Sequence, residues 1–264
     1  MKISLIGAGV MGETILAGML KSGVTPDQIT VAEIRPDRAA ELSATYDVTC
    51  ADIQTSVADA NLVFIVVKPQ DVLTVLAEIS SLISAEAVVA SLAAGITCET
   101  VESHLPSGQA VVRVMPNTPA LVGEGMSGLS AGSNCSEQQL KIVADLLNTV
   151  GQTVEIPEEL QDALTAVSGS GPAYLFYVME AMTAAAIKLG LSSELATKLV
   201  TQTIFGAATL VRTTGDDPKI LRERVSSPNG VTVAATRTLD ELGVADAFHS
   251  AMQAAVARSI ELGQ

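Results

Sequence analysis

The sequence begins with a strand-forming run, Lys2 to Ile6, and passes straight into Gly7-Ala8-Gly9-Val10-Met11-Gly12. From Glu13 to Lys21 the spacing turns helical, with Ile15, Leu16, Met19 and Leu20 on one side. Strand, G-x-G-x-x-G, helix is a demanding combination. The glycines answer three needs: a tight turn, close approach of the backbone to a pyrophosphate, and packing of helix on strand. The pattern predicts a dinucleotide-binding fold with Gly7, Gly9, Val10, Met11 and Gly12 against the cofactor.

The chain continues in the alternation such a fold requires. Ile29 to Ala32 is a second strand ending at Glu33. An acidic residue there bonds ribose hydroxyls and selects NAD, whereas Arg35 and Arg38 just behind it offer partners for the 2′-phosphate of NADP. Both cofactors stay open. A helix is expected over 37–46, a short strand at Val48-Thr49, and a doubly buried strand over 61–67 that ends in Lys68-Pro69. Ligands lie outside the carboxyl ends of such strands, which places Lys68 toward the cofactor. Helix 71–83 and strand 87–92 follow, the latter running into the small residues Ala93, Ala94 and Gly95. Next come helix 97–104, strand 110–114 and Met115-Pro116-Asn117-Thr118-Pro119. The two prolines argue against helix and hold Asn117 and Thr118 near the cleft, or else start a hairpin through Met126 to Ala131. Ser136 and Gln139 form a capping box for helix 136–149, and strand 153–156 closes the domain. The alternation predicts an α/β fold, an N-terminal Rossmann-type doubly wound sheet over 1–160.

From Ala166 to Tyr174 the chain reads AVSGSGPAY. Small polar residues followed by proline predict a hinge loop. Ser170 or Gly171 would be its cap and Pro172 would sit in a first helical turn. The free N–H groups of such a helix start suit a carboxylate, and an ordinary hinge fits as well. Everything beyond reads as helix, so residues 161–264 form an all-helical second domain. Residues 174–189 have no polar face, and a domain this small cannot cover them alone, which predicts self-association. Helices are expected over 193–213, 217–225, 233–241 and 244–261. The third of these is preceded by a second small polar loop, Ser226 to Thr232.

Composition narrows the function. A net charge of −14 and 3% aromatic residues argue against nucleic acid and anionic membranes as partners. Cys50, Cys98 and Cys135 match no metal-ligand spacing, so no metal site and reduced thiols in a cytoplasmic protein are expected. His104 and His249 have no carboxylate or nucleophile spaced to work with them. The strand at Lys2 leaves no room for a secretory leader, and no stretch is a convincing membrane span. With no nucleophilic triad and no P-loop, a nicotinamide would supply the chemistry, and Ser/Thr hydroxyls with free N–H groups would hold a small carboxylate.

Six segments together resemble the pyrroline-5-carboxylate reductases: IGAGVMG at 6–12, VKP at 67–69, SLAAGIT at 91–97, MPNTPALV at 115–122, AVSGSGPAY at 166–174 and SSPNGVT at 226–232. The resemblance runs nearly end to end. It implies a Rossmann domain joined to a helical domain that interlocks with its twin, as a homodimer or ring of dimers. The implied reaction reduces the C=N bond of 1-pyrroline-5-carboxylate to L-proline with NADPH or NADH. By position it places Val67, Lys68, Pro69, Ala93, Ala94, Gly95 and Asn117 on the cofactor and Ser168 and Gly169 near the substrate. Ser227, Gly230, Val231 and Thr232 would grip the substrate carboxylate, with Thr232 near the ring nitrogen as the catalytic hydroxyl. The chain departs from the family at Asn229 and Val231, where glycine and threonine are usual, and at Glu33, where Asn or Ser is usual. Asn tolerates the left-handed conformation such a turn needs. A β-hydroxyacid dehydrogenase shares the opening glycine motif, and a non-catalytic nucleotide sensor would share the fold.

Overall fold

The computed structural model describes residues 1–262, which fall into two compact units. The first comprises Met1–Ser170 together with the chain from Ala255 onward, and the second is Gly171–Ala254. The units therefore divide ten residues beyond position 160, and the end of the chain is grouped with the first.

The first unit is built on one sheet of eight strands: β1 (Ile3–Ile6), β2 (Ile29–Ala32), β3 (Thr49–Ala51), β4 (Leu62–Ile65), β5 (Val88–Ser91), β6 (Ala110–Met115), β7 (Gly125–Ala131) and β8 (Gly151–Glu155). Their order across the sheet is β3-β2-β1-β4-β5-β6-β7-β8. All neighbours are parallel except β6 and β7, which pair antiparallel with Arg113 opposite Ser130. The Met126–Ala131 hairpin strand is thus present, and β8 lies parallel beyond it. The order reverses between β1 and β4, the switch point at which open α/β sheets bind ligands.

The helices of this unit are α1 (Val10–Lys21), α2 (Pro36–Tyr46), α3 (Ile53–Val57), α4 (Val72–Ile79), α5 (Cys98–Ser103), α6 (Glu137–Leu147) and α7 (Gln161–Leu164). Ser136 caps α6 and the reciprocal Gln139 bond is made. The five-residue α3, capped by Asp52, has no counterpart in the sequence reading. Each face of the sheet carries its own core. Leu5, Ile15, Met19, Phe64 and Val143 lie on one, and Ile6, Ile65, Leu76, Val89 and Val111 on the other. Strands β1, β4 and β5 are buried on every residue, as a sheet covered on both faces demands.

Two local expectations are corrected. The prolines at 116 and 119 do not keep this segment out of helix: Thr118–Val122 forms a short 3₁₀ helix with Pro119 in its first turn, a position that needs no N–H. The Ala166–Tyr174 segment is not a loop either. α7 continues as a π turn over Thr165–Gly169, closed by a bond from the Ser170 N–H to the Thr165 carbonyl at 2.8 Å, and helix α8 begins at Gly171. Ser170 and Gly171 therefore do not cap a fresh helix with free N–H groups.

The second unit is helical throughout: α8 (Gly171–Lys188), α9 (Ser193–Thr214), α10 (Pro218–Arg224), α11 (Val231–Glu241) and α12 (Val244–Leu262), whose end belongs to the first unit. α8 buries no residue at all, and α9 buries only Ala196 and Val200.

Candidate functional site

The carboxyl ends of β1, β2, β4, β5 and β6 line up along one edge of the sheet. The Gly7–Gly12 turn sits there, and its glycines are not interchangeable. Gly7 has φ +88°, and a Cβ on it would lie 2.5 Å from the Val66 carbonyl oxygen and 2.9 Å from a Val67 methyl. A Cβ on Gly12 would run into the Gly7 carbonyl oxygen, so this residue sets how closely α1 packs on the turn. A Cβ on Gly9 would meet nothing within 4 Å. Gly9 is also the N-cap of α1, with no side chain satisfying the first N–H groups. Val10 is 68% exposed and Met11 half-buried. An open backbone surface at the positive end of a twelve-residue helix is what a pyrophosphate requires.

Beside the turn, Lys68 is exposed and Val67 packs on Gly7. Ala93 and Gly95 are buried and Ala94 half-buried just beyond β5, so the floor of this edge is made of small groups. At the end of β2 the Glu33 side chain is only 5% exposed. One oxygen accepts the Ala8 N–H at 3.2 Å, and Arg35 donates its backbone N–H at 3.0 Å and its Nε at 2.9 Å to the other. Burial by itself would raise the Glu33 carboxyl, but the bonds from Arg35 and Ala8 hold it below the ordinary carboxylate range. Arg38 is bound elsewhere, to Glu13, Glu41 and the Ala8 carbonyl, and Tyr46 donates to Glu13 at 3.0 Å. Of the two arginines, Arg35 is the more open, with half its side chain exposed against 16% for Arg38. The sequence reading did not anticipate this carboxylate–arginine lattice. The signal that bears it is Glu13 on α1 together with the mixed-charge run Glu33, Arg35, Arg38 and Glu41 from the end of β2 into α2.

At the end of β6, residues 113, 115 and 117 each reach the α7–π-turn segment or the turn before it. Arg113 is buried and donates to Glu158 at 3.2 Å, with Asp162 of α7 at 3.9 Å. A Cβ on Gly169 would stand 2.7 Å from the Met115 methyl. Asn117 gives its Nδ2 to the Ser168 carbonyl at 3.2 Å and to the Ser168 hydroxyl at 3.1 Å, and its Oδ1 accepts the Met126 N–H at 2.9 Å. The structure thus brings Asn117, Ser168 and Gly169 together within the first unit.

In the second unit, the Ser226–Gly230 segment is a turn closed by the Gly230 N–H on the Ser227 carbonyl at 2.9 Å. Asn229 holds φ +61°, so it does adopt the left-handed conformation expected of it. Gly230 is the N-cap of α11 without a side-chain cap bond, and a Cβ there would collide with the Ser227 hydroxyl. α11 starts at Val231, two residues before the expected start. Val231 and Thr232 are therefore first-turn residues whose N–H groups run along the helix axis. Thr232 is half-buried, and its carbonyl is engaged by Thr236. Among the described residues no group of His, Cys, Asp and Glu could hold a metal ion, and no helix is long and apolar enough to cross a membrane.

Residues 158–262 match the family model for pyrroline-5-carboxylate reductase dimerisation, and residues 2–95 match that for NADP oxidoreductase, coenzyme F420-dependent. The pyrroline-5-carboxylate reductase of Corynebacterium melassecola is 44% identical over 266 residues, covering 99% of this chain and 98% of that protein. That of Methanosarcina acetivorans is 38% identical over 100% and 98%. Among solved structures, the pyrroline-5-carboxylate reductase from Coxiella burnetii superposes with a TM-score of 0.95 at 33% identity, covering 100% and 98% of the two chains. The pyrroline carboxylate reductase of Plasmodium falciparum, solved with NADP bound, gives 0.88 at 27% identity over 100% and 98%.

Proposed function

The chain belongs to the pyrroline-5-carboxylate reductase family, and on that premise we propose which of its residues carry the reduction of 1-pyrroline-5-carboxylate to L-proline, the last step of proline biosynthesis. It is an NAD(P)-dependent oxidoreductase with a Rossmann-type first domain and a helical dimerisation domain. The observation that carries the reaction is the likeness over the whole chain, with both the glycine turn and the 226–232 turn included.

In the proposed division of labour, residues 1–160 hold NADPH or NADH, and residues 161–264 hold the substrate and the twin subunit. Gly7, Gly9, Val10, Met11 and Gly12 receive the pyrophosphate on the open start of α1. Glu33 and Arg35 meet the adenosine ribose. With Glu33 already covered by Arg35 and Ala8, its charge repels a 2′-phosphate less than a bare carboxylate would. Arg35 still offers N–H groups outward, so both cofactors are accepted. Val67, Lys68, Pro69, Ala93, Ala94 and Gly95 floor the nicotinamide end, with Asn117 standing behind Ser168. A bound dihydronicotinamide supplies hydride for the imine carbon.

Ser168 and Gly169 border the substrate. Ser227 and the N–H groups at Gly230, Val231 and Thr232 take its carboxylate, as the start of an eleven-residue helix suits an anion. Hydride at the ring carbon leaves the ring nitrogen in need of a proton or a bond to one, and the Thr232 hydroxyl serves it. The working unit is a homodimer or a ring of dimers, each site completed by the neighbour's helical domain, in the cytoplasm.

The deciding assay follows dihydronicotinamide absorbance with 1-pyrroline-5-carboxylate against a panel of β-hydroxy acids. Turnover with the imine alone is expected. Turnover of a hydroxy acid instead would make the chain a β-hydroxyacid dehydrogenase, and cofactor binding with no turnover would make it a nucleotide sensor.

A further inference from the structure

We propose that Asn117 is a positioning residue that fixes the Ser168 hydroxyl as a hydrogen-bond donor toward an acceptor oxygen of the bound reactants. This rests on the placement of Ser168 at the substrate. The orientation of the Asn117 amide follows from its neighbours. The Met126 backbone N–H can only donate, so the atom 2.9 Å from it is the carbonyl Oδ1, and the NH₂ must face Ser168. That NH₂ reaches the Ser168 carbonyl at 3.2 Å and the hydroxyl oxygen at 3.1 Å.

Both acceptors have a reason to be there. In a regular helix the Ser168 carbonyl would take the N–H of residue 172, but residue 172 is proline and has none. Asn117 supplies a donor to that carbonyl. At the hydroxyl, Asn117 occupies a lone pair of the oxygen. Serine has one O–H and two lone pairs, so a serine that accepts from Asn117 keeps its own hydrogen for another group. No other bond of the Ser168 hydroxyl is seen among the described residues, and the side chain is half-buried, not sealed. The hydrogen it keeps free addresses an acceptor, such as a carboxylate or carboxamide oxygen. Met115 against Gly169 and the Arg113 ion pair with Asp162 of α7 hold the same segment from one strand, so the π turn has little freedom to re-aim Ser168.

The test is a double-mutant cycle in the full-length enzyme. Asn117→Asp keeps an acceptor for the Met126 N–H and removes the donors. It is expected to lower kcat about tenfold, the size of one hydrogen bond in the transition state, with cofactor affinity little changed. Ser168→Ala should lose as much, and the double variant no more than either single one. A protonated Asp regains an O–H donor, so the Asn117→Asp deficit relative to wild type at the same pH should shrink as pH falls toward about 4, a recovery that a purely structural defect would not show. Should Asn117→Asp fail to fold by circular dichroism, Asn117→Ala completes the same cycle. Additive losses in the double variant would overturn the proposal, as would a Ser168→Ala deficit that Asn117 variants lack. An active enzyme indifferent to Ser168→Ala also overturns it and points to the substrate placement of Ser168 as the fault, leaving the reductase assignment standing.

Discussion

Phe64 and Phe205 are the same side chain in two different situations. Phe64, in β4 of the first unit, is 0% exposed in the core on one face of a finished sheet. Phe205, midway along α9 of the second unit, is 60% exposed, and Phe176 on α8 is 56% exposed. The first unit satisfies its own apolar surface, while the second presents long helices whose apolar residues one chain leaves open. An uncovered apolar face of this extent is an interface, and the match of 158–262 to a dimerisation family identifies its partner as a second copy. The contrast teaches that the two units should fail in different ways, one by losing ligand or fold, the other by losing its twin.

The largest effect is expected at Gly9. Gly9→Val adds a side chain where the structure has open space, so the first unit should unfold at an unchanged temperature while cofactor binding by calorimetry disappears. A folded variant that still binds NADPH would remove the glycine turn from the site. Next is Phe205→Asp, which puts a charge on the open face of α9. Sedimentation should show the dimer dissociating and activity falling with it, whereas circular dichroism of the sheet persists. An unaltered dimer would break the contrast between the units.

Thr232→Val keeps the shape and deletes a hydroxyl from the first turn of α11. A loss of about a hundredfold in kcat with a modest change in KM would fit a contact made in the transition state. Mixed with Gly9→Val and co-refolded, it should regain part of the activity if sites are shared between subunits, and confirmed heterodimers without recovery would put each site within one chain. Arg35→Ala should raise KM for NADPH about tenfold more than for NADH, and equal changes would leave Arg35 a surface residue. The smallest effect concerns Cys98. Burial first, and then the neighbouring Glu158 carboxylate, push its thiol up to about 12. A raised thiol pKa keeps the group protonated, so iodoacetamide at about pH 8 should leave Cys98 unmodified in the native enzyme. Labelling there would reveal opening of the first unit.

Legibility in the sequence followed how local the cause was. The glycine turn could be read because its strand, spacing and helix are contiguous in sequence, and the α6 cap because Ser136 and Gln139 serve one another. The left-handed Asn229 was readable for the same reason. The π turn was not. Ser-Gly-Ser-Gly-Pro has poor helix propensity, and helix persists there because Met115 and Asn117, some fifty positions earlier, pack against and bond it. The glycine-turn neighbourhood likewise hid the engagement of Glu33, since an acidic residue after a strand gives no sign that Arg35 and the Ala8 N–H will claim it. The early start of α11 escaped because the small polar loop was read through Thr232, whereas the helix begins directly behind its Gly230 cap.

The last turns of α12 have a consequence for how the chain is made. The Ser259 hydroxyl donates to the Asp162 carboxylate at 2.7 Å across 97 residues, inside the unit that otherwise ends at Ser170. A ribosome delivers the Rossmann sheet first, yet this helical piece of the same unit follows about a hundred residues later. Until Ser259 is made, Asp162 lacks that partner, and the helix that carries it leads directly into the π turn holding Ser168. The sheet can collapse early, but a product truncated before Ser259 would carry the dinucleotide turn without the Asp162–Ser259 tie.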